Sequence, residues 1–238
     1  MNVDSFLAPS VKNGLRPYVH AFREFRRSLN RSASEAAVQA RVGYMGIKRS
    51  IIPAQPPAEA GGKLNLHLGC GRVDHKEFIN IDGYPFPHVH YVQTIDKLPQ
   101  FANDTVDLIY ASHCLEHFGY NQIETVLAEW FRVIKKGGTL RISVPDFDKL
   151  VDMYLIHKKD PDVMIEQLMG GQNHKYNFHY TVLNNVNLTR KLKAVGFKTV
   201  RDWVPNSGPL TSFPDFSVYQ KEIAGQRHDV SLNIEAVK

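Results

Sequence analysis

The sequence predicts an α/β fold built on an open, mostly parallel sheet. Two observations lead to this prediction: short apolar runs alternate with stretches of helical periodicity, and the first run ends in a Gly-x-Gly loop. Strands that alternate with helices form parallel sheets covered on both faces. A glycine loop after the first strand lets the backbone approach a ligand closely. At 238 residues and 43% hydrophobic content, the chain can form one such domain with an extension.

The first 60 residues carry the whole excess of positive charge. They contain nine Lys or Arg and four Asp or Glu, whereas residues 61–238 contain twenty of each. A helical pattern over residues 17–42 carries most of these arginines. Either this helix packs on the domain with its arginines in solvent, or it is a basic arm for RNA, an anionic lipid surface or an acidic substrate. We predict a basic helical extension and linker over 1–60 and a folded domain over 61–238.

Cysteine content and hydropathy indicate the compartment. The two cysteines, Cys70 and Cys114, lie in predicted loops without a disulfide spacing, so we expect free thiols and a reducing cytoplasm. No apolar run approaches the roughly 18 to 20 residues of a membrane helix. The first residues also lack the basic-then-apolar order of a signal peptide. The sequence therefore predicts a cytoplasmic location.

The glycine loop is the main functional signal in the chain. Leu64–Leu68 predicts a short strand, the loop Gly69-Cys70-Gly71 follows, and the next apolar run ends at Asp82. In an open α/β sheet this carboxylate lies beside the loop, where it can accept hydrogen bonds from two ribose hydroxyls. A dinucleotide fold would open a full helix here and carry a third glycine, but the corresponding position is Asp74. The pattern therefore favours a nucleotide-like cofactor other than NAD.

The remaining predicted elements continue the alternation. A helix over 121–136 begins with an apparent cap formed by Asn121 and Glu124 and ends at Gly137. A second helix, 182–195, ends at Gly196. Residues 147–180 are predicted to be irregular, and 205–229 to be a long loop that covers a site. The predicted strands after Asp82 span 88–93, 105–110, 139–144, 197–204 and 230–237.

In this order and spacing the segments resemble the class I S-adenosylmethionine-dependent methyltransferases over residues 63–238. The resemblance rests on Leu66–Gly71, Asp82, the segment Ser112–His117 after the fourth strand and the helix-to-strand segment Arg132–Asp146. Within that family the chain looks most like small bacterial enzymes associated with surface-polysaccharide biosynthesis. The resemblance implies a Rossmann-like doubly wound sheet, mostly parallel with an antiparallel last strand.

The resemblance also implies a cofactor, S-adenosylmethionine, and the residues that bind it. The glycines would approach its amino-acid part, Asp82 its ribose, and Asp96 its adenine amino group. Tyr84 could stack on the adenine or belong to the core. The full predicted cofactor set is Leu68, Gly69, Cys70, Gly71, Asp82, Gly83, Tyr84, Asp96, Ser112 and His113.

Catalysis of methyl transfer depends mainly on positioning in a site with little water. A hydroxyl acceptor must also lose a proton, and histidine suits that task near neutral pH. His174 is the first candidate base because the family binds acceptors after strand five, and His113 is the second. Asp146 could orient acceptor or base, or only begin a helix. Glu116 and His117 are predicted to be packing and helix-start residues, and no metal site is predicted.

The acceptor is predicted only by class. Ala111–Cys114 stands where many enzymes that methylate nucleobase amines carry an Asn/Asp-Pro-Pro-Tyr/Phe motif, so nucleic-acid methylation is disfavoured. We expect a small-molecule or carbohydrate acceptor, such as a nucleotide-linked or lipid-linked sugar, with O-methylation. Peripheral membrane contact through the basic helix fits the same charge pattern. The alternatives are a non-catalytic binding module acting through the basic arm, and a methyltransferase for RNA or protein.

Overall fold

The computed structural model describes residues 62–207, 210, 213 and 215–238, with four single positions at 36, 37, 40 and 44. The chain divides into two units, Met1–Ile47 and Lys48–Lys238, and everything below concerns the second. The predicted helix over 17–42 and the predicted boundary at residue 60 lie outside the described residues and stay predictions. Within the described part, no helix has both the length and the apolar character needed to cross a membrane.

A seven-stranded sheet forms the centre of the domain, with the order β3-β2-β1-β4-β5-β9-β6. Strands β1 to β5 are parallel, and β9 runs antiparallel to both β5 and β6. This confirms the predicted Rossmann-like α/β fold with an antiparallel last strand. The strands of the sheet are β1 (Asn65–Leu68), β2 (Ile79–Asp82), β3 (Tyr91–Val92), β4 (Val106–Ser112), β5 (Ile134–Pro145), β6 (Thr199–Asp202) and β9 (Ser231–Val237).

Two helices cover one face of the sheet. They are α1 (Ile123–Val133) and α4 (Asn185–Val195). Their apolar stripes, which include Trp130, Leu188 and Leu192, are fully buried against the strands. Burying one such side chain stabilises the fold by about 1.5–3 kcal/mol. The Trp130 indole N–H donates to the carbonyl of Ile95 at 2.8 Å, which ties α1 to the loop after β3.

An aromatic cluster covers the opposite face at β1 and β4. Phe78, Tyr110 and Phe213 surround the buried imidazole of His67, whose ring stacks on Phe213 at 5.3 Å. Burial, aided by the charges of two nearby histidines, lowers the pKa of His67 to about 3. The Tyr110 hydroxyl donates to Asp215 Oδ2 at 2.6 Å. The segment around Asp215 is thereby held over the sheet, as the predicted covering loop requires.

Several boundaries differ from the sequence prediction. Helix α1 starts after Gln122 without a side-chain cap, and Glu124 instead pairs with Lys191 of α4 at 3.0 Å. The predicted cap is therefore wrong: the helix begins two residues after Asn121, and the Gln122 side chain accepts from the Gly119 N–H at 3.0 Å. Helix α1 ends at Val133, and the glycines expected to stop it lie within β5, where Gly137 has φ +77°.

Helix α4 begins three residues later than predicted, because Asn184 and Asn187 form a reciprocal cap at its first turn. It ends as predicted at Gly196, which is left-handed. Predicted strands 88–93 and 197–204 are shorter in the structure, since only Tyr91–Val92 and Thr199–Asp202 pair with neighbours.

The two segments predicted to lack regular structure both contain it. Residues 147–180 include α2 (Phe147–Ile156) and the short α3 (Ile165–Met169). The 205–229 segment includes the hairpin β7 (Gln220–Ile223) and β8 (Gln226–Asp229). Its turn residues, Ala224 and Gly225, both have positive φ, which suits a two-residue hairpin turn. An alanine at the first turn position is not a standard turn signal, so the sequence pattern missed the hairpin.

Candidate active site

A cavity of about 720 Å³ opens at the carboxyl ends of β1, β2 and β4. This volume lies within the range typical of small-molecule sites. Strand β1 lies between β2 and β4. The chain therefore forms β2 and β3 on one side of β1 and then crosses to form β4 on the other side. Ligands of open α/β sheets bind at such a switch point. The loop that follows β1 therefore lies where ligands of such sheets bind.

The glycine loop is held tightly at this point. Gly69 has φ +64°, and a Cβ added to it would lie 2.6 Å from Cys114 Cβ. Its N–H donates to the Ile81 carbonyl at 2.8 Å. Only glycine combines this left-handed backbone with so close an approach. Glycine is thus required at position 69 for both conformational and steric reasons. The backbone of the loop faces the cavity.

Asp82 lies beside the loop, where the sequence predicts it. Its Oδ2 accepts from the Gly71 N–H at 2.8 Å, and its Oδ1 accepts from the Tyr84 N–H at 2.6 Å. Burial raises the pKa of Asp82, and these two backbone hydrogen bonds partly oppose that rise. Each carboxylate oxygen has a second lone pair, so the group can also accept from two ligand hydroxyls.

Most of the predicted cofactor residues line the cavity together. They are Gly69, Cys70, Gly71, Asp82, Gly83, Tyr84, Ser112 and His113. Leu68 is fully buried in β1 and contributes no lining. Asp96 also lies outside the lining, but its Oδ1 is buried without a hydrogen-bond partner among the described residues. A buried acceptor of this kind calls for a donor.

Residues 170–179, which contain the predicted base, fold against the cofactor loops. Gly170 has φ +77° and lies so close to Asn177 that a Cβ would meet its carbonyl oxygen at 2.5 Å. The ring of Tyr176 lies 3.0 Å from the position of a Cβ on Gly83. His174 meets the ring of Tyr84 edge-on at 4.9 Å, and its Nδ1 accepts from the Tyr176 N–H at 3.3 Å. The structure thus places His174 in the cavity wall.

Four titratable side chains gather beside another part of the wall, where His113, His117 and His179 line the cavity and Glu116 is buried next to them. Glu116 is 1% exposed, and its Oε1 lies 3.4 Å from His113 Nδ1 and 3.9 Å from His179 Nε2. His117 joins them from the same 3₁₀ turn, Leu115–His117. Burial raises the pKa of Glu116, but the three histidines, led by His113, outweigh this and hold it below its ordinary value. Burial lowers the pKa of His179.

This cluster is the part of the site that sequence reasoning missed. The spacing His113-x-x-Glu116-His117 is visible in the sequence, which predicts His113 as a second base and cofactor residue but Glu116 and His117 as packing and helix-start residues. His179 lies more than sixty residues away, and the hydrogen bond from the Tyr180 N–H to the Glu116 carbonyl at 2.9 Å helps to bring it to the group. The cluster Glu116, His117 and His179 brings one ligand atom from each side chain within 4.8 Å of the others.

Asp146 and the cysteines have other surroundings. Asp146 caps α2 by accepting from the Asp148 N–H at 3.2 Å, and it lies outside the cavity lining. Burial raises its pKa.

Cys70 and Cys114 are free, as expected, and both are buried. Burial, reinforced by the nearby carboxylates, raises the pKa of both thiols well above the usual value, so neither is an activated nucleophile.

Comparison with known proteins gives one family match. Residues 74–142 match the family model of a methyltransferase domain. The matched stretch runs from the segment before β2 to the middle of β5, and so includes Asp82, Asp96 and the 3₁₀ turn. No curated protein matches the sequence. The match indicates a methyltransferase domain, and S-adenosylmethionine stays its predicted cofactor.

Several solved structures are similar at low sequence identity. A SAM-dependent methyltransferase from Archaeoglobus fulgidus is 16% identical with a TM-score of 0.47, covering 91% of this chain and 99% of that one. A possible histamine N-methyltransferase from Thermotoga maritima is 14% identical with a TM-score of 0.45, covering 90% and 98%. A 1,6-didemethyltoxoflavin-N1-methyltransferase from Burkholderia thailandensis, bound to 1,6-didemethyltoxoflavin and S-adenosylhomocysteine, is 16% identical with a TM-score of 0.45, covering 98% and 91%.

The residues present fit this cofactor. The Gly69 loop offers bare backbone, and Asp82 offers two acceptor oxygens for the ribose hydroxyls. Asp96 lies outside the cavity lining, so its predicted contact with the adenine amino group stays a prediction. Tyr84 lines the cavity wall. These features were predicted singly from the sequence, and the structure brings them to one end of the sheet.

Proposed function

We propose that this protein transfers the methyl group of S-adenosylmethionine to a hydroxyl of a small-molecule or carbohydrate acceptor. The observation that carries the proposal is the Asp82 carboxylate, which bridges the glycine loop and the Tyr84 loop at the edge of a 720 Å³ cavity. When bound, the cofactor supplies an activated methyl group on a sulfonium. The chain's own task is to hold that group, exclude water and position the acceptor.

The remaining cavity wall suits an acceptor with several hydroxyl groups. It carries the polar side chains of Glu166, Gln167, Asn177 and Asp215 beside the aromatic rings of Tyr176, Phe216 and Tyr219. Polar groups set among aromatic surfaces fix the orientation of a small ligand. Ala111–Cys114, which takes the place of the motif used on nucleobase amines, disfavours a nucleobase as the methylated group. We include a nucleotide-linked or lipid-linked sugar, a role in surface-polysaccharide biosynthesis and a cytoplasmic location in the proposal.

His174 is the proposed proton acceptor, and its surroundings set a condition on that role. Its Nδ1 accepts from the Tyr176 N–H, so the neutral ring carries its proton on Nε2. To receive the acceptor's proton at Nε2, the ring must adopt the other tautomer and give up this 3.3 Å hydrogen bond. A bond of this length is weak, so the exchange costs little. His113 is the proposed second base. Asp146 is the proposed carboxylate that orients the acceptor or the base.

Calorimetry with S-adenosylhomocysteine tests the cofactor site. We expect wild type to bind and Asp82→Ala to lose about 100-fold in affinity, because charge-assisted hydrogen bonds to the ribose disappear. Glu222→Ala, an exposed carboxylate in β7, is the control and should bind like wild type. Failure of wild type to bind either S-adenosylmethionine or S-adenosylhomocysteine would overturn the proposal. So would equal affinity in Asp82→Ala.

Product analysis tests the acceptor class. Wild type is incubated with S-adenosylmethionine and panels of nucleotide sugars, lipid-linked sugars, phenols, amines, RNA and proteins. We expect an alkali-stable methyl ether on a sugar or small hydroxylic compound, detected by mass spectrometry. Methylated amine, RNA or protein would replace this acceptor class, while the cofactor assignment would stand. With the identified acceptor, His174→Ala should retain cofactor affinity and lose about 100-fold in turnover.

A further inference from the structure

We propose that Glu116, His117 and His179 bind a divalent transition-metal ion of the Zn²⁺ type in the wall of the cavity. One ligand atom of each lies within 4.8 Å of the others, and His117 and His179 line the cavity. Two imidazole nitrogens and one carboxylate oxygen form a known zinc donor set that keeps one coordination position open. Mg²⁺ and Ca²⁺ prefer all-oxygen donors and fit this set poorly.

The first support is the state of the Glu116 carboxylate. It is 1% exposed, and neither of its oxygens has a hydrogen-bond partner among the described residues. Its neighbours are the ring nitrogens of His113 at 3.4 Å and His179 at 3.9 Å. A buried carboxylate without hydrogen bonds is costly unless a cation accompanies it. The arrangement therefore requires positive charge beside Glu116.

The second support is the hydrogen bonding of the three histidines. His179 Nδ1 faces the backbone carbonyl of Gln167 at 2.8 Å, which accepts its N–H. Both ring nitrogens of His117 face carbonyls, Nδ1 that of Phe178 at 3.0 Å and Nε2 that of His113 at 3.2 Å. His113 Nε2 lies 2.8 Å from Ser231 Oγ, and that hydroxyl already donates to the Phe216 carbonyl at 2.7 Å. His113 must therefore donate through Nε2 as well.

Each neutral ring is then left with one bare nitrogen. These are His113 Nδ1 and His179 Nε2, which face Glu116, and one ring nitrogen of His117, which faces a carbonyl oxygen whichever tautomer the neutral ring adopts. Lone pairs that face a carboxylate and a carbonyl repel unless a cation lies among them. An N–H bound to a backbone carbonyl, with the other ring nitrogen left bare, is also the usual state of a histidine that binds a metal.

The distances suit a tetrahedral ion after a local adjustment. Bonds of about 2.0–2.2 Å place tetrahedral ligands about 3.3–3.6 Å apart. The Glu116 Oε1 to His179 Nε2 distance is 3.9 Å, so these two atoms need to approach by about half an ångström, and since the three ligand atoms lie within 4.8 Å of one another, no pair needs to approach by more than about 1.5 Å. His117 Nε2 must also leave its contact with the His113 carbonyl. A protonated His113 paired with Glu116 is the competing source of positive charge, and the experiment separates the two.

Metal binding is measured on the full-length protein after chelator treatment, with Zn²⁺ in calorimetry and Co²⁺ in absorption spectroscopy. We expect one ion per chain and the intense visible bands of a tetrahedral Co²⁺ site. His179→Gln should weaken binding by about 100-fold or more, since even the loss of an outer hydrogen bond weakens metal sites 10- to 100-fold. Mg²⁺ should not compete.

The matched control is a second pair of histidines without a carboxylate. His157 and His228 approach within 3.0 Å through their Nε2 atoms, so His228→Gln removes one other place, within the part of the chain that the structure describes, where adventitious metal could bind. This variant should bind like wild type. Thermal unfolding in chelator establishes that each variant is folded, and His117→Gln replaces His179→Gln if the latter is not.

Three results would overturn the proposal: no stoichiometric binding, affinity unchanged by both cluster variants, or affinity lost in His228→Gln. The first of these would assign the positive charge to a protonated histidine. Because no cofactor or acceptor is present, the outcome is independent of the proposed methyl acceptor.

Discussion

Replacing the buried imidazole of His67 should change how stability depends on pH. The pKa of this histidine is lowered to about 3 in the folded protein, by burial first and then by the charges of His88 and His75. In the unfolded chain it is about 6.5. The folded state therefore binds fewer protons than the unfolded state between these values. Stability contributed by the neutral ring is complete above about pH 6.5 and is lost as the pH falls.

The magnitude follows from the difference between the two states. At pH 5 the unfolded histidine is protonated and the folded one is not, so the loss is about 1.5 pH units at 1.36 kcal/mol each, or about 2 kcal/mol. Because pH 5 is well above 3, this value depends on the pKa of the unfolded state alone. Leucine has a similar volume and suits the aromatic surroundings of Phe78, Tyr110 and Phe213.

Urea unfolding at pH 7 and pH 5, without ligand, measures the effect. Between the two pH values, wild type should lose about 2 kcal/mol more free energy of unfolding than His67→Leu. Parallel pH dependence of wild type and His67→Leu would refute the reasoning, since it would mean that His67 takes up protons equally in both states. His67→Met provides the same comparison if the leucine variant does not fold.

Three further substitutions test the glycine loop, the Glu235 ion pairs of β9 and the packing of α1. Gly69→Ala should weaken S-adenosylhomocysteine binding more than 10-fold in calorimetry, because the new Cβ would displace the loop. The control is Gly225→Ala, where φ is +80° and the space around the Cβ is open; it introduces similar backbone strain and should keep the wild-type affinity. Glu235→Gln should lower the free energy of urea unfolding by about 1.5–3 kcal/mol, because hydrogen bonds from two arginines lose their charge. Trp130→Phe should cost about 2–4 kcal/mol in the same assay, from the lost bond to Ile95 and the space left behind.

The sequence alone determined the glycine loop beside Asp82 and the order of strands β1 to β6 and β9 with helices α1 and α4, whereas α2, α3 and the hairpin of β7 and β8 were not predicted. These features are local, since the glycine loop, Asp82 and the apolar periods of α1 and α4 are encoded within short segments. The rules of parallel α/β sheets then place consecutive strand ends at one edge. Strand boundaries and caps were less predictable, because pairing partners such as Lys191 for Glu124 come from distant segments.

Only the tertiary structure decided which side chains outside those segments share the cavity wall. Glu116 and His117 lie in one turn, but His179 joins them through a backbone contact made by Tyr180. Local pattern carries no information on such a contact, because it forms between elements that are far apart in the chain and meet only when residues 170–179 fold over the sheet. For the same reason the sequence indicated the methyl donor, whereas the charge and hydrogen bonding of the rest of the cavity wall became visible only in three dimensions.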